Sequence, residues 1–409
     1  MASETLATGL VITGMGITSA AGSDVDSFWN QVRGGHSPAQ WWADPERPKA
    51  MPIPACRISE PNIAPELARW ARKSDRCAQL ALAAGWQAGQ QARLAGLDPA
   101  RLGVIVGSAR GPVGAMADAV REVQRGLVHP ILAASSTCAS PSGVLSLVCH
   151  AEGPCFTVSA SCASAANAIA LGAMQILAGE ADVVLAGGAE APLVSAVIEP
   201  FRKAGILAHH EDPRKACRPF DRSRNGLLLG EGAAFLVLET EDHARRRGAQ
   251  PIARLLGWAM TADGRGRTSP RLDGAGLIRA MTAAMRRARI NPECIDYINV
   301  HGTGTVVNDR VESLALRRLL GALNRRIPVS STKPVTGHCL GATPALEAVV
   351  TIQTLLHQEI PPTINHEEPE DVWDLDFVSK TSRPAPVKTV LSISQGFWGN
   401  NAALVFGHA

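Results

Sequence analysis

Short apolar runs alternate with longer stretches of helical periodicity along most of the chain. Leu10–Thr13, Leu102–Gly107, Phe156–Ser159, Val183–Ala186 and Ala233–Leu238 read as strands. The apolar spacing predicts helices over Asp24–Arg33, Arg76–Ala95, Gly111–Gln124 and Ala163–Ala178, the last stopped by Gly179. Near Pro251 the alternation starts again. Ile252–Trp258, Tyr297–Val300, Val329–Ser331, Leu375–Val378 and Val390–Ser394 predict strands, and Gly274–Arg289, Arg310–Leu320 and Ala345–Leu356 predict helices. Such alternation predicts an α/β architecture in two halves, residues 1–250 and 251–409. The Gly-, Arg- and Thr-rich segment Ala259–Pro270 reads as a loop, and no period of 20 to 50 residues suggests a solenoid.

Composition narrows the class without naming a chemistry. With 409 residues, 46% hydrophobic and 19% charged, the chain reads as a globular protein rather than a disordered or fibrous one. A net charge of +3, with both signs interspersed, gives no reason to expect nucleic acid as a partner. Nine cysteines without a C-x-x-C pair fit free thiols in a reducing compartment. No uninterrupted apolar stretch approaches a membrane span, so a soluble cytoplasmic protein without membrane association is expected.

The candidate chemistry is concentrated at strand-to-turn junctions. Cys162 stands where the run Phe156–Ser159 turns into an alanine-rich helical pattern, so the sulfur would face a helix N-terminus. Partial positive charge there favours thiolate and offers N–H donors to an oxyanion. His301 ends a strand and opens the segment His-Gly-Thr-Gly-Thr305. Lys333 and His338 lie in Ser331-Thr-Lys-Pro-Val-Thr-Gly-His338, and Glu347 is the next carboxylate, a partner for a buried lysine. The terminal segment Ser392–Asn401 reads as a glycine-interrupted loop able to cover a pocket. One cysteine with two histidines fits either a Cys/His hydrolase or an acyl-transfer enzyme, in which two neutral imidazoles could hold a developing enolate.

These segments, with Ser161-Cys-Ala-Ser164, Arg218-Pro-Phe-Asp221 and Gly230-Glu-Gly232, resemble the condensing β-ketoacyl-acyl carrier protein synthases, nearest to synthase II and the type II polyketide ketosynthases. The resemblance spans essentially the whole chain. It implies a thiolase-like, five-layered αβαβα fold of two similar halves, usually dimeric. It implies that Cys162 takes the acyl chain from the phosphopantetheine of an acyl carrier protein, and that His301 and His338 promote malonyl decarboxylation and hold the enolate. Lys333 and Glu347 match the family's buried pair, and the N–H groups of Cys162 and Phe397 its oxyanion hole. Thr303 and Thr305 match contacts to the pantetheine arm, and Asp263 and Thr268 a loop against which the terminal loop moves. No metal, nucleotide or other cofactor is implied.

Two positions depart from the pattern. Trp398 replaces an expected glycine in the terminal loop, and Arg110 stands where synthase II relatives carry an aliphatic residue on the acyl-pocket wall. In an apolar tunnel a guanidinium needs a partner, so Arg110 has either a structural counter-charge or a polar chain end to meet. Both departures favour a specialised polyketide or polyene synthase over housekeeping fatty-acid elongation. A thiolase would need a second cysteine in the terminal loop, and none follows Cys339. A chain-length-factor-like subunit would lack the nucleophile; a decarboxylase or acyltransferase variant stays open. An acidic carrier protein would meet a basic rim, with Arg202, Lys203, Arg265 and Arg267 as candidates, and the second subunit would be another copy or a chain-length-factor-like partner.

Overall fold

The computed structural model describes residues 9–370 and 373–409. Of the N-terminal segment Met1–Leu10, only Gly9 and Leu10 fall within them. Ten principal strands follow the predicted alternation: β1 (Leu10–Ser19), β2 (Leu102–Gly107), β3 (Cys155–Val158), β4 (Val183–Glu190), β5 (Gly232–Thr240), β6 (Ala253–Ala262), β7 (Tyr297–Asn299), β8 (Pro328–Ser330), β9 (Thr389–Gly396) and β10 (Asn400–His408). The first five lie in the order β1-β5-β4-β2-β3 and the second five in the order β6-β10-β9-β7-β8, with Asp376–Phe377 added at the far edge. Strand directions repeat as well. β1–β5 and β5–β4 are antiparallel while β4–β2 and β2–β3 are parallel, and the same sequence of directions recurs from β6 to β8. The two arrays join only where Val11 and Ile12 pair with Arg254 and Ala253.

Six helices complete five layers: α1 (Arg76–Gln91), α2 (Ser140–Cys149), α3 (Ser164–Leu177), α4 (Ala275–Ala288), α5 (Val306–Leu320) and α6 (Thr343–His357). On the outside of the first array lie α1 and α2; α4, with α5 against it, covers the second. Between the arrays lie α3, packed on β2 and β4, and α6, packed on β5, β9 and β10. Every residue of α6 from Thr343 to Leu355 is buried, as a helix enclosed on all sides requires. Alanine and glycine let α3 come equally close: a Cβ on Gly107 would sit 2.4 Å from Ala165 N. This is the thiolase-like αβαβα fold, and it brings the N-terminal end of α3 to the middle of the molecule.

The sequence reading needs five corrections. Ser392–Asn401 is not one loop: Ser392–Gly396 ends β9, Asn400 and Asn401 open β10, and only Phe397–Gly399 between them leaves the sheet. Ala259–Ala262 is not loop but the end of β6, paired with Asn400–Ala403 of β10; only the Gly- and Arg-rich part from Asp263 onward leaves the sheet. The helix predicted to Ala95 ends at Gln91, because Arg93 turns to a left-handed φ of 53°. The helix predicted from Arg310 begins at Val306, its start masked by two β-branched valines. Two helices, α2 and Ser195–Lys203, went unpredicted because Ser, Gly and Pro, including Pro200 inside the second, dilute the helical signal.

Candidate active site

The junction before α3 is a tight elbow. Ser161 adopts φ 52°, a left-handed conformation that costs an L-residue roughly 1–2 kcal/mol. Ser164 holds the elbow: its Oγ donates to Ser161 O (2.6 Å) and accepts from Ala160 N–H (2.9 Å). Cys162 is thereby presented at the head of α3, 9% exposed, on the wall of a cavity of about 480 Å³. Burial pushes its thiol up to about 12, against the pull of Lys333 and Arg110. Burial thus opposes the pull that the helix end exerts toward thiolate, and a sulfur that keeps its proton until substrate arrives must lose it as it attacks.

His301 and His338 line the same cavity with ring centroids 5.4 Å apart and planes nearly perpendicular at 83°. His301 follows β7 on a loop tied to the start of α5. Glu312 accepts from the N–H of His301 (2.5 Å) and Gly302 (2.8 Å), and Asp309 accepts from Thr303 N–H (3.1 Å). The second oxygen of Asp309 takes Phe220 N–H at 2.8 Å, which is how the Arg218–Asp221 segment braces the loop. His338 Nδ1 lies 2.9 Å from Thr343 Oγ1, which fixes the ring and leaves Nε2 for a ligand. Burial first, then the charge of Lys333, holds both imidazoles well below the usual histidine range. They are neutral at neutral pH, so each can present an N–H donor or accept a proton.

Lys333 does not line the cavity. Its Nζ donates to Glu347 Oε1 at 2.5 Å and to His301 O, and both side chains of the pair are buried. Thr303 and Thr305, hydroxyls 2.8 Å apart, lie on the cavity wall with Thr268. From the opposite side comes the terminal loop. A Cβ on Gly396 would lie 2.8 Å from Cys162 N, so the glycine lets this loop settle on the elbow and sets Phe397 beside the cysteine.

Asp263 clasps the terminal loop, its N–H donating to Gly399 O (2.9 Å) and its carboxylate accepting from Asn401 Nδ2 (2.8 Å) and Arg271 N–H (2.8 Å). Trp398 donates its N–H to Arg267 O at 2.7 Å. It has φ 63°, the conformation a glycine would take without cost, and its side chain is 63% exposed rather than on the cavity wall. Arg110, by contrast, is on that wall, its guanidinium 5.9 Å above the Phe201 ring. Among the described residues it has no carboxylate partner, and its side chain is exposed.

Sequence reasoning missed Glu190. This buried carboxylate at the end of β4 accepts from Ser108 Oγ (3.1 Å) and the N–H groups of Ala109 (2.6 Å), Arg110 (3.0 Å) and Gly341 (3.0 Å). It ties the turn that carries Arg110 to the turn that follows His338. Burial pushes it up to about 7 in spite of these four donors. The one available signal was a lone acid closing an otherwise apolar run, Val183–Ala189. Asp309 and Glu312 were equally open to notice, at helical spacing just after His301.

An elbow cysteine facing two neutral histidines, backed by a buried Lys–Glu pair, within five layers of repeated topology, describes a condensing enzyme. Residues 7–244 match the β-ketoacyl synthase N-terminal domain and residues 252–367 the β-ketoacyl synthase C-terminal domain, and the chain belongs to the β-ketoacyl synthase family. It is 35% identical over 405 residues to 3-oxoacyl-[acyl-carrier-protein] synthase 2 of Vibrio harveyi, covering 97% of this chain and 98% of that protein. It is 36% identical over 413 residues to the tetracenomycin polyketide synthase ketoacyl synthase alpha subunit of Streptomyces glaucescens, covering 97% and 96%. Among solved structures, the ishigamide ketosynthase/chain length factor superposes with a TM-score of 0.89 at 31% identity, over 98% of this chain and 99% of that one. A type II PKS ketosynthase in complex with its acyl-carrier protein gives a TM-score of 0.90 at 29% identity, again over 98% and 99%.

Proposed function

We propose that the chain is a β-ketoacyl-acyl carrier protein synthase that condenses an acyl group on Cys162 with malonyl-acyl carrier protein. The observation that carries this is the placement of Cys162, His301 and His338 on one cavity wall, with Lys333 and Glu347 behind them. In the first half-reaction the Cys162 sulfur attacks the acyl thioester. Its proton passes to a neutral imidazole and then to the departing pantetheine thiolate, leaving acyl-Cys162 and a free carrier thiol. The N–H groups of Cys162 and Phe397 hold the tetrahedral oxyanion, with the positive end of α3 behind it.

In the second half-reaction malonyl-carrier protein enters with its pantetheine arm along Thr303 and Thr305. The carboxylate leaves as carbon dioxide. Electrons from the broken C–C bond form an enolate whose oxygen accepts from the two imidazoles, and the enolate carbon attacks acyl-Cys162, expelling the cysteine sulfur as a thiolate that takes up one proton from solvent to restore the thiol. The buried pair fixes the His301 loop through its carbonyl. Phosphopantetheine enters only as the arm of the carrier substrate, and the steps require no metal or nucleotide. Residues 1–250 supply the nucleophile and residues 251–409 the histidines, which is the functional sense of the division into halves.

The carrier protein is the partner in this reading, approaching a rim that includes the exposed Lys203, Arg265 and Arg267; Arg202 is partly engaged by Glu199 and Met51 O. A second subunit, a copy or a chain-length-factor-like chain, and a soluble cytoplasmic setting belong to the same reading. No helix among the described residues is long and apolar enough to cross a membrane. Similar identity to fatty-acid and polyketide relatives does not separate those pathways, but Arg110 on the cavity wall favours a specialised polyketide or polyene route. Asp263 and Thr268 with Trp398 form the loop pair that admits the chain, and Trp398 stiffens it where a glycine would flex.

The test is direct. Incubation with acyl- and malonyl-carrier protein, followed by mass spectrometry, should give acylation at Cys162 and then a β-keto product two carbons longer; a decarboxylated malonyl group without that product would establish the decarboxylase variant instead.

The pH dependence carries a sign that can be checked. Both imidazoles are held well below the ordinary histidine value of 6.5, so they stay neutral as the pH falls through that value. The acid limb of malonyl decarboxylation should therefore lie below pH 6.5, and an apparent pKa at or above it in a kcat/KM profile would mean that neither shifted histidine governs the step.

A further inference from the structure

Arg110 is the one formally charged side chain on the cavity wall among the described residues. It faces a wall formed otherwise by apolar groups such as Phe201, Ile206 and Leu340, by small polar ones, and by two neutral histidines. The turn that carries it is fixed: the main-chain N–H of Arg110 donates to Glu190 Oε1 at 3.0 Å and its neighbours on the turn donate to the same carboxylate, while the Arg110 side chain itself is exposed to solvent at the cavity. The guanidinium rests over the Phe201 ring, and Phe201 in turn packs on Phe397 with centroids 6.0 Å apart. A file of three groups thus runs from Arg110 to the residue beside Cys162.

A saturated acyl chain entering this cavity would strip water from the guanidinium and return nothing. A chain carrying an acceptor oxygen would return a charge-assisted hydrogen bond, while its carbons lie on the two phenyl rings. We propose that Arg110 is a specificity-determining residue that selects acyl chains bearing an oxygen acceptor, either an oxo group or a terminal carboxylate, over saturated hydrocarbon chains. This inference rests on the ketosynthase reading above and deepens it by naming the substrate class.

The experiment uses the full-length protein, wild type and Arg110→Leu, with three pantetheine thioesters of equal chain length: octanoyl, 5-oxooctanoyl and 7-carboxyheptanoyl. Intact-protein mass spectrometry follows the rate of acylation at Cys162. Wild type should acylate with at least one oxygenated chain about tenfold or more faster than with octanoyl, and Arg110→Leu should abolish or invert that ratio. Which oxygenated chain gains separates an oxo-group acceptor from a carboxylate.

A wild-type preference for octanoyl, or a ratio unchanged in Arg110→Leu, overturns the proposal. So does a change of oligomeric mass in Arg110→Leu with the ratio intact, which would assign the guanidinium to a subunit contact. Failure of all three thioesters to acylate Cys162 in either protein sinks the ketosynthase reading itself. Arg110→Gln, which keeps a donor without the charge, should retain a wild-type preference for the oxo chain and lose one for the carboxylate; a carboxylate preference that survives, or an oxo preference that does not, would again count against the proposal.

Discussion

Cys162→Ala is expected to abolish condensation, by on the order of 10⁴-fold or more, while malonyl decarboxylation remains measurable. The two half-reactions use different groups. Acyl transfer needs the sulfur as the atom that forms and then breaks a bond, and alanine offers nothing to attack the thioester. Decarboxylation needs donors at the nascent enolate oxygen, and these are His301, whose backbone N–H is held by Glu312, and His338, whose ring is held by Thr343; neither depends on the cysteine. The substitution is small and removes a single buried sulfur from the cavity wall, so folding should survive it. The measurement is twofold: carbon dioxide release from malonyl-carrier protein and appearance of the two-carbon-extended product. Loss of the first together with the second would show that the cysteine organises the malonyl site. Persistence of acylation and product would remove Cys162 from the mechanism.

The parts of this site that were legible in the sequence are those in which one residue type at one junction carries the chemistry. A cysteine between a strand run and an alanine-rich helix, and a histidine closing a strand, announce themselves because a strand end followed by small residues is where a side chain can be presented to a ligand. The groups that hold those residues in place were harder to see. Glu190 acts on turns some 80 and 151 positions away, the first brought to it by the pairing of β4 with β2 and the second by the packing of the two halves. The repeated strand order was hidden for a related reason: each half has its own loop lengths, so the repetition lies in topology and not in a sequence period. The thiolate expectation weighed a helix N-terminus without the burial that the central layer imposes, which pushes the thiol the other way. Trp398 shows the same limit, since its left-handed φ could not be read from the residue itself.

Lys333→Met should be the most destabilising single change at the site, and its cost should grow with pH. The variant leaves Glu347 in the central layer with no cation, and breaking one side of a buried pair typically costs about 3–5 kcal/mol. Glu347 has an escape that most buried carboxylates lack. Burial already pushes it up to about 7 beside Lys333, and removing the lysine pushes it higher still. Its folded pKa then lies above its unfolded value near 4.5, so the folded state holds the extra proton at low pH, and stability is lost as pH rises through the folded pKa. Denaturant unfolding should therefore show a smaller loss at pH 6 than at pH 8. Lys333→Met with Glu347→Leu should recover most of that stability, because two apolar chains replace the pair without leaving a charge behind. Activity should not return with it. The double variant still lacks the ammonium that donates to His301 O and keeps both imidazoles from protonating, so its decarboxylation profile should show the acid limb moved to higher pH. Equal stability of the single and double variants at both pH values would show that the pair is not energetically coupled. An unmoved acid limb would show that Lys333 fixes the loop without tuning the histidines.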